Sequence, residues 1–393
     1  MTAQGSKSAG KIAVLGLGRM GSAMAARLAA RDAEVVGWTR SGRAEAGFPT
    51  TAEPAEAVEG ADVALLALFD GRACEEVLDR IGEALGPDTI VINTGTVAPV
   101  EAAGLARRLG PRYVHAPVLG SVPAVAAGTL EILAAADPAA GALDRVQPLL
   151  RDLGTVHVVG DAATAAALKL VANNSLAGAV LALRTCLQQA DALGLPRDQT
   201  LDVLELGQLG GLVARKRDYL ASAAAPPAAF TIGALAKDLG LLAAASGSPL
   251  PYAADLAETP VDAAADIAVA ATVPAVGEDV LAPLRAYIRG HATGDPAHFR
   301  EAFLPTAHIE GIRDGVFVSW SVDEFCALFP GHPAADEVTR SRRIDSVDVR
   351  ETVATASMTL WHGADTFTDI FLLVHGPDGA WRIANKAYHR RNA

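Results

Sequence analysis

The chain has 393 residues, is 51% hydrophobic but only 5% aromatic, and carries a formal net charge of -12. That length suits two or three domains with sizeable cores, and the acidic balance argues against nucleic acid or an anionic membrane as a main partner. Cys74, Cys186 and Cys326 are too widely spaced to suggest a disulfide framework or a zinc site, so no metal is expected and the cytoplasm is the expected compartment.

Residues 1–10 lack the apolar stretch of a signal peptide and read as a disordered leader. Ile12 to Leu15 is a short apolar run, as expected of a strand buried on both faces. Gly16, Gly18 and Gly21 follow at the G-x-G-x-x-G spacing, with Leu17, Arg19 and Met20 between them and an Ala-rich helix former behind. Gly16 allows a tight turn, Gly18 admits a pyrophosphate, and Gly21 lets helix and strand pack closely. The helix N-terminus offers N–H groups and partial positive charge to phosphates. The bland alternative is a glycine-rich turn that binds nothing.

A second strand, Glu34 to Trp38, ends where an NAD-binding fold usually places an acidic ribose ligand. Here the chain reads Thr39-Arg40-Ser41, with Arg43 close behind. Guanidinium and hydroxyl groups bind a 2′-phosphate that a carboxylate would repel, so the expected cofactor is NADP(H). A solvated basic loop is the alternative.

Further strands are read at Asp62–Leu68, Thr89–Asn93, Tyr113–Val118, Leu130–Ala135 and Val156–Val159, with a helix over Arg72–Leu85. Alternating strands and helices predict an α/β domain over 11–160 with a parallel, doubly wound, Rossmann-type sheet. From Ala162 to about Leu193 the pattern is one long apolar helix. It has the length of a membrane span, but Lys169, Asn173, Asn174 and Arg184 favour a helix buried between domains. Helices at Leu201–Leu206, Leu212–Leu220 and Ile232–Ala245 complete an all-α domain over 161–272, read as the substrate and dimerisation domain. Beyond Thr272 lie seven of the nine histidines, helices at Val280–Ile288 and Ala297–Phe303, and strands at Val353–Trp361, Phe367–Val374 and Ala380–Tyr388. The turns His362–Asp365 and Gly376–Gly379 are hairpin signals, so 277–393 is expected to be a separate α+β domain with a mostly antiparallel sheet.

Lys169 is the only charged residue between Asp161 and Arg184. Burying an ammonium is costly, and Asn173 lies four residues on, on the same helical face. The pair could hold a carbonyl oxygen, and burial would lower the lysine pKa toward a value useful for a general acid. A snorkelling lysine at the helix edge is the structural alternative.

Four motifs then occur in order: Gly16-Leu-Gly-Arg-Met-Gly21, Ala116-Pro-Val-Leu-Gly-Ser121 running to Gly128-Thr-Leu130, Lys169-Leu-Val-Ala-Asn-Asn174, and Lys237-Asp-Leu-Gly-Leu241. Over roughly 11–270 the chain resembles the β-hydroxyacid dehydrogenase family. That family includes 3-hydroxyisobutyrate dehydrogenases and glyoxylate/succinic-semialdehyde reductases, and is related to 6-phosphogluconate dehydrogenases and imine reductases. The resemblance implies that Lys169 is the catalytic acid/base and Asn173 orients the substrate oxygen. It further implies that Thr96 contacts the cofactor, with Leu68 and Phe69 beside it, and that Lys237 lies near the nicotinamide. Arg40 matches the position that family members specific for NADP use for the 2′-phosphate. The family usually has Ser-Gly-Gly where this chain has Leu119-Gly120-Ser121, and the missing serine normally grips a substrate carboxylate. Leu119, Gly120 and Ser121 are thus read as substrate-binding with Lys169; Ser121 or backbone N–H groups could substitute for the serine, but a bulkier, less acidic carbonyl compound is expected.

The tail resembles a second family. Tyr287-Ile-Arg-Gly-His-Ala-Thr-Gly-Asp295, Ser321-Val-Asp-Glu-Phe325, Thr368-Asp-Ile-Phe-Leu-Leu373 and Gly379-Ala-Trp-Arg-Ile383 with Lys386 are similar to the lumazine-binding group of the nuclear-transport-factor-2-like fold. That fold curls a sheet around helices to leave a cone-shaped pocket, which His291, His298 and His308 could reach. Trp381 and Phe371 read as core.

These readings converge on an NADPH-dependent oxidoreductase acting on a small-molecule carbonyl compound, with the tail as an accessory domain. Imine reduction on the same scaffold is the nearer rival, and a non-catalytic NADP(H) sensor with a ligand-binding tail the more distant one. The apolar circumference of the Ala162 helix predicts a homodimer.

Overall fold

The structure is a computed structural model and describes residues 10–41, 47–221, 227–259, 261–273, 277–313, 315–363 and 365–391. Residues 1–9 of the expected leader and Arg43 lie outside them. The chain forms two compact units: Met1–Ala177 with Leu235–Leu250, and Gly178–Ala234 with Pro251–Ala393.

In the first unit the glycine stretch joins β1 (Ile12–Leu15) to α1 (Arg19–Ala29), and β2 (Val35–Trp38) and β3 (Thr50–Thr51) follow. Next come α2 (Pro54–Val58), β4 (Val63–Leu66), α3 (Gly71–Ile81), β5 (Ile90–Asn93) and α4 (Pro99–Leu109). The sheet is completed by β6 (Tyr113–His115), β7 (Val118–Leu119), β8 (Leu130–Ala136) and β9 (Gly154–Val158), with α5 (Val122–Ala127) and α6 (Ala142–Leu153) between them.

The strand order is β3-β2-β1-β4-β5-β6-β8-β7, with β9 paired to β8. Ile12 and Val14 enter one core cluster while Ala13 and Leu15 enter another. Alternate side chains of β1 are thus buried on opposite faces, the signature of a doubly wound sheet. One expectation needs correction, because the sheet is mixed: β8 runs antiparallel to both β6 and β7. Pro117 is the physical reason that Tyr113–Val118 is not one strand, since it cannot donate a ladder hydrogen bond and splits the run into β6 and β7. The short α5 then leaves too little chain for a full parallel crossover before β8.

The long helix is α7 (Ala162–Ala192), close to its sequence bounds. The division between the units falls inside it, so residues 161–272 are shared between the two. After it come α8 (Arg197–Glu205), α9 (Gly210–Ala221), α10 (Ile232–Ser246), α11 (Pro251–Glu258) and α12 (Val269–Thr272).

The tail contains α13 (Glu278–Thr293), α14 (Pro296–Ala302), β10 (His308–Arg313), β11 (Val316–Ser321) and α15 (Val322–Cys326). Four long strands finish it: β12 (Ser341–Arg350), β13 (Val353–His362), β14 (Asp365–His375) and β15 (Trp381–Arg391). Their order is β11-β10-β15-β14-β13-β12, antiparallel except where β10 meets β15. Bulges between Ile344 and Ser346 and between Leu372 and Leu373 bend the long strands. Tyr287, Phe299, Phe303, Phe371 and Trp381 are buried in one cluster on the helical side of this sheet, so Phe371 and Trp381 are core residues as expected.

Candidate active site

Parallel strands β1, β2, β4, β5 and β6 deliver their following loops to one edge of the sheet, where such folds bind ligands. Gly16 there has φ +105°, and a Cβ on Gly21 would stand 1.9 Å from the Gly16 carbonyl oxygen, so neither position tolerates a side chain. Gly18 differs: among the described residues nothing lies within 4 Å of where its Cβ would be, and it opens α1 with no side-chain cap. A bare glycine facing open space at an uncapped helix N-terminus fits a dinucleotide pyrophosphate. Leu17, Arg19 and Met20 complete this turn.

Leu68 packs beside the Gly16 turn. Lys237, from α10, donates to the carbonyl oxygens of Phe69 (2.7 Å) and Thr96 (2.9 Å) and lies 2.9 Å from Asp238 Oδ1. Its ammonium therefore ties the loops after β4 and β5 to α10. Asn93, buried at the end of β5, accepts from the Gly95 backbone N–H and fixes the second of these loops. At the end of β2, Arg40 meets Glu76 at 3.3 Å, a carboxylate that Arg72 already holds at 2.8 Å. The Arg40 side chain is 74% exposed, so this shared contact restrains it weakly. Thr39 and Ser41 flank it on the same loop.

Lys169 is buried, not snorkelling. Its Nζ donates to Asn173 Oδ1 at 2.9 Å, and Asn173 Nδ2 donates to Asp238 Oδ2 at 2.5 Å. Burial pushes the lysine pKa down to about 8; the Asp238 carboxylate pulls it upward, and Lys237 adds to the lowering. Sequence reasoning missed Asp238, although it lies inside a quoted motif. Its signal was present: an acidic residue next to Lys237 in an otherwise apolar helix.

Leu119 is half-buried on β7, Gly120 has φ +132°, and Ser121 caps α5 without using its hydroxyl. Among the described residues no hydrogen bond joins these three to Lys169 or Asn173. In the second unit, His291 borders a cavity, but His298 and His308 do not. His298 turns to Glu301 on its own helix at 3.6 Å, and His308 is exposed at the start of β10. His362, not singled out from sequence, occupies the cavity wall instead.

A glycine turn at the head of a doubly wound sheet, beside a buried lysine in a polar network, defines an NAD(P)-binding oxidoreductase. Residues 11–160 match the family described as "NAD binding domain of 6-phosphogluconate dehydrogenase". The "Probable 3-hydroxyisobutyrate dehydrogenase" of Mycobacterium tuberculosis is 30% identical over 275 residues, covering 65% of this chain and 92% of that one. An "Uncharacterized oxidoreductase" of Synechocystis sp. is 30% identical over 258 residues, covering 61% and 88%. The solved structure of the Mycobacterium tuberculosis 3-hydroxyisobutyrate dehydrogenase with L-serine superposes with a TM-score of 0.56 at 25% identity, covering 67% of this chain and 98% of that one. The chain belongs to the 3-hydroxyisobutyrate dehydrogenase family of oxidoreductases. Residues 275–389 separately match the family described as "Putative lumazine-binding".

Proposed function

We propose that the first unit is an NADPH-dependent reductase of an aldehyde, ketone or keto acid, with Lys169 as general acid/base. The observation that carries this reading is the buried Lys169–Asn173–Asp238 network. A pure binding module has no need of a costly buried ammonium. The turn from Gly16 to Gly21 would hold the pyrophosphate, Thr39, Arg40 and Ser41 the 2′-phosphate end, and the loops at Leu68, Phe69 and Thr96, tied by Lys237, the nicotinamide end. When bound, the nicotinamide supplies the hydride.

Lys169 spends one N–H on Asn173 and keeps two for a substrate oxygen; Asn173 spends one amide N–H on Asp238 and keeps the other. As negative charge grows on that oxygen, the lysine gives it a proton, and the amide holds it in place. In the oxidative direction the neutral amine takes the proton back. Leu119 offers no hydrogen bond to a carboxylate, so the wall it forms suits a less acidic carbonyl compound.

The test is to follow NADPH oxidation with aldehydes, ketones, keto acids and cyclic imines, for the natural protein and Lys169→Ala. The variant is expected to keep cofactor binding and lose roughly 10²–10⁴-fold in turnover. Full turnover in Lys169→Ala would refute the assignment, and turnover of cyclic imines alone would move the reading to imine reduction.

A further inference from the structure

The order β2-β1-β4 sets the loops after β2 and β4 on either side of the glycine turn that follows β1. The first of these loops carries Arg40, and the second runs into α3, whose first turn carries Arg72. Arg72, Glu76 and Arg80 recur every four residues and so form one row along α3. That row faces the end of β2: the Arg80 guanidinium lies 5.4 Å from the centre of the Trp38 ring, and Glu76 reaches Arg40. Arg40 and Arg72 are thereby brought together from the two flanking loops, each on a different oxygen of the Glu76 carboxylate.

This triple is poorly balanced as it stands. Two guanidiniums share one carboxylate, which leaves one positive charge over. Among the described residues Arg72 gives Glu76 only its Nε–H, at 2.8 Å, and Arg40 gives only an Nη2–H, at 3.3 Å. Each guanidinium has five N–H donors, so most of both forks is left for another acceptor. The Arg72 and Glu76 side chains are 86% and 45% exposed, so the pair holds them loosely. Arg72 also stands where the helix dipole disfavours a cation, and it precedes its glutamate along the helix, the weaker of the two orders.

A phosphate group would meet all of these needs. Its oxygens can take the open edges of two guanidinium forks, it balances more charge than one carboxylate, and it suits the first turn of a helix. We propose that Arg72 is the second arm of the 2′-phosphate clamp, opposite Arg40, and that Glu76 is an internal anion that competes with the phosphate for both. This deepens the NADPH reading and rests on it. A cofactor without the 2′-phosphate gains nothing from Arg72 and leaves Glu76 paired. With NADPH the two guanidiniums turn from Glu76 to the phosphate, and the released carboxylate opposes it at close range. Arg72 therefore raises the ratio of NADPH to NADH affinity and Glu76 lowers it.

The test is fluorescence titration of the full-length protein with NADPH and with NADH. Arg72→Ala should weaken NADPH about tenfold and NADH by less than about twofold. Glu76→Gln should tighten NADPH about threefold and leave NADH unchanged. Glu75 pairs with Arg108 instead, so Glu75→Gln makes the same charge change on the same helix away from the clamp. It should leave the ratio of the two affinities within about twofold of the natural value. The proposal is overturned if Arg72→Ala weakens both cofactors alike or neither, if Glu76→Gln leaves the ratio unchanged, or if Glu75→Gln moves it as far. Should that happen while NADPH stays preferred and Arg40→Ala abolishes the preference, the NADPH reading stands and the clamp alone falls. Equal binding of both cofactors by the natural protein removes both.

Discussion

An ammonium inside an apolar helix persists only where its cost is offset, and at Lys169 the partners also tune it. Asn173 accepts its hydrogen bond, and Asp238, one residue further along the network, opposes the lowering of its pKa. The sign for catalysis follows directly. Reduction needs the protonated lysine, so its rate should hold below pH of about 8 and fall as pH rises through that value; oxidation should show the reverse. Asp238→Asn removes the charge that raises the lysine pKa, so the fall should move to lower pH, which a merely structural role would not produce. A pH–rate profile that is the same in both proteins would rule out this positioning role. Arg40 supports a third expectation at this scale. Its hold on Glu76 is weak and shared, so little is lost when it turns to a phosphate. Arg40→Ala should weaken NADPH binding by roughly 1–3 kcal/mol and leave NADH nearly unaffected, as measured by fluorescence titration.

At the scale of elements, the sheet edge is a set of loops whose mutual positions are fixed by a few polar ties. Lys237 joins α10 to the loops after β4 and β5, and Asn93 braces the latter from below. The resemblance placed Lys237 near the nicotinamide; two of its donors are spent on carbonyls and its ammonium stands 2.9 Å from Asp238, so it ties that part of the sheet edge together. β7 raises a different question, since it carries Leu119 at the position where the resemblance implies a carboxylate-gripping serine. Leu119→Ser should improve turnover of 3-hydroxy acids relative to uncharged carbonyl compounds. Efficient oxidation of 3-hydroxyisobutyrate by the natural protein would defeat that reading.

At the scale of the whole molecule, α7 is the element with most left to explain. Only 44% of its most apolar eighteen-residue stretch is buried, and by length and composition it could also cross a membrane. Leu168 and Val171, three residues apart and hence on one face, are 43% and 55% exposed. We propose that a second copy of the chain covers this stripe, two-fold pairing being the commonest way to bury such a face. Light scattering at micromolar concentration should report a homodimer, and Val171→Glu should shift it to monomer. A monomeric natural protein would exclude the arrangement.

The first unit was legible because its signals are local. A short continuous apolar strand, three spaced glycines and a helix former lie within eighteen residues, and the long apolar run of α7 ends within one residue of its expected limit. The hairpins of the tail were legible for the same reason, since turn residues sit directly between alternating strands. The strands β10, β11 and β12 were not, because β10 and β12 are rich in charged residues and β11 is mostly solvent-facing, which hides the alternation. The mixed direction of the first sheet was also hidden, because a strand's sequence does not state which way its neighbour runs. Nor could the sequence bring Asp238 to Asn173 across 65 residues, or set the rings of His291 and His362 5.3 Å apart. The sequence by itself determined which residue types were present and which local elements they form. Which buried charges meet, and therefore which carry chemistry, was decided by tertiary packing, since desolvation and short-range partners exist only once distant segments are folded together.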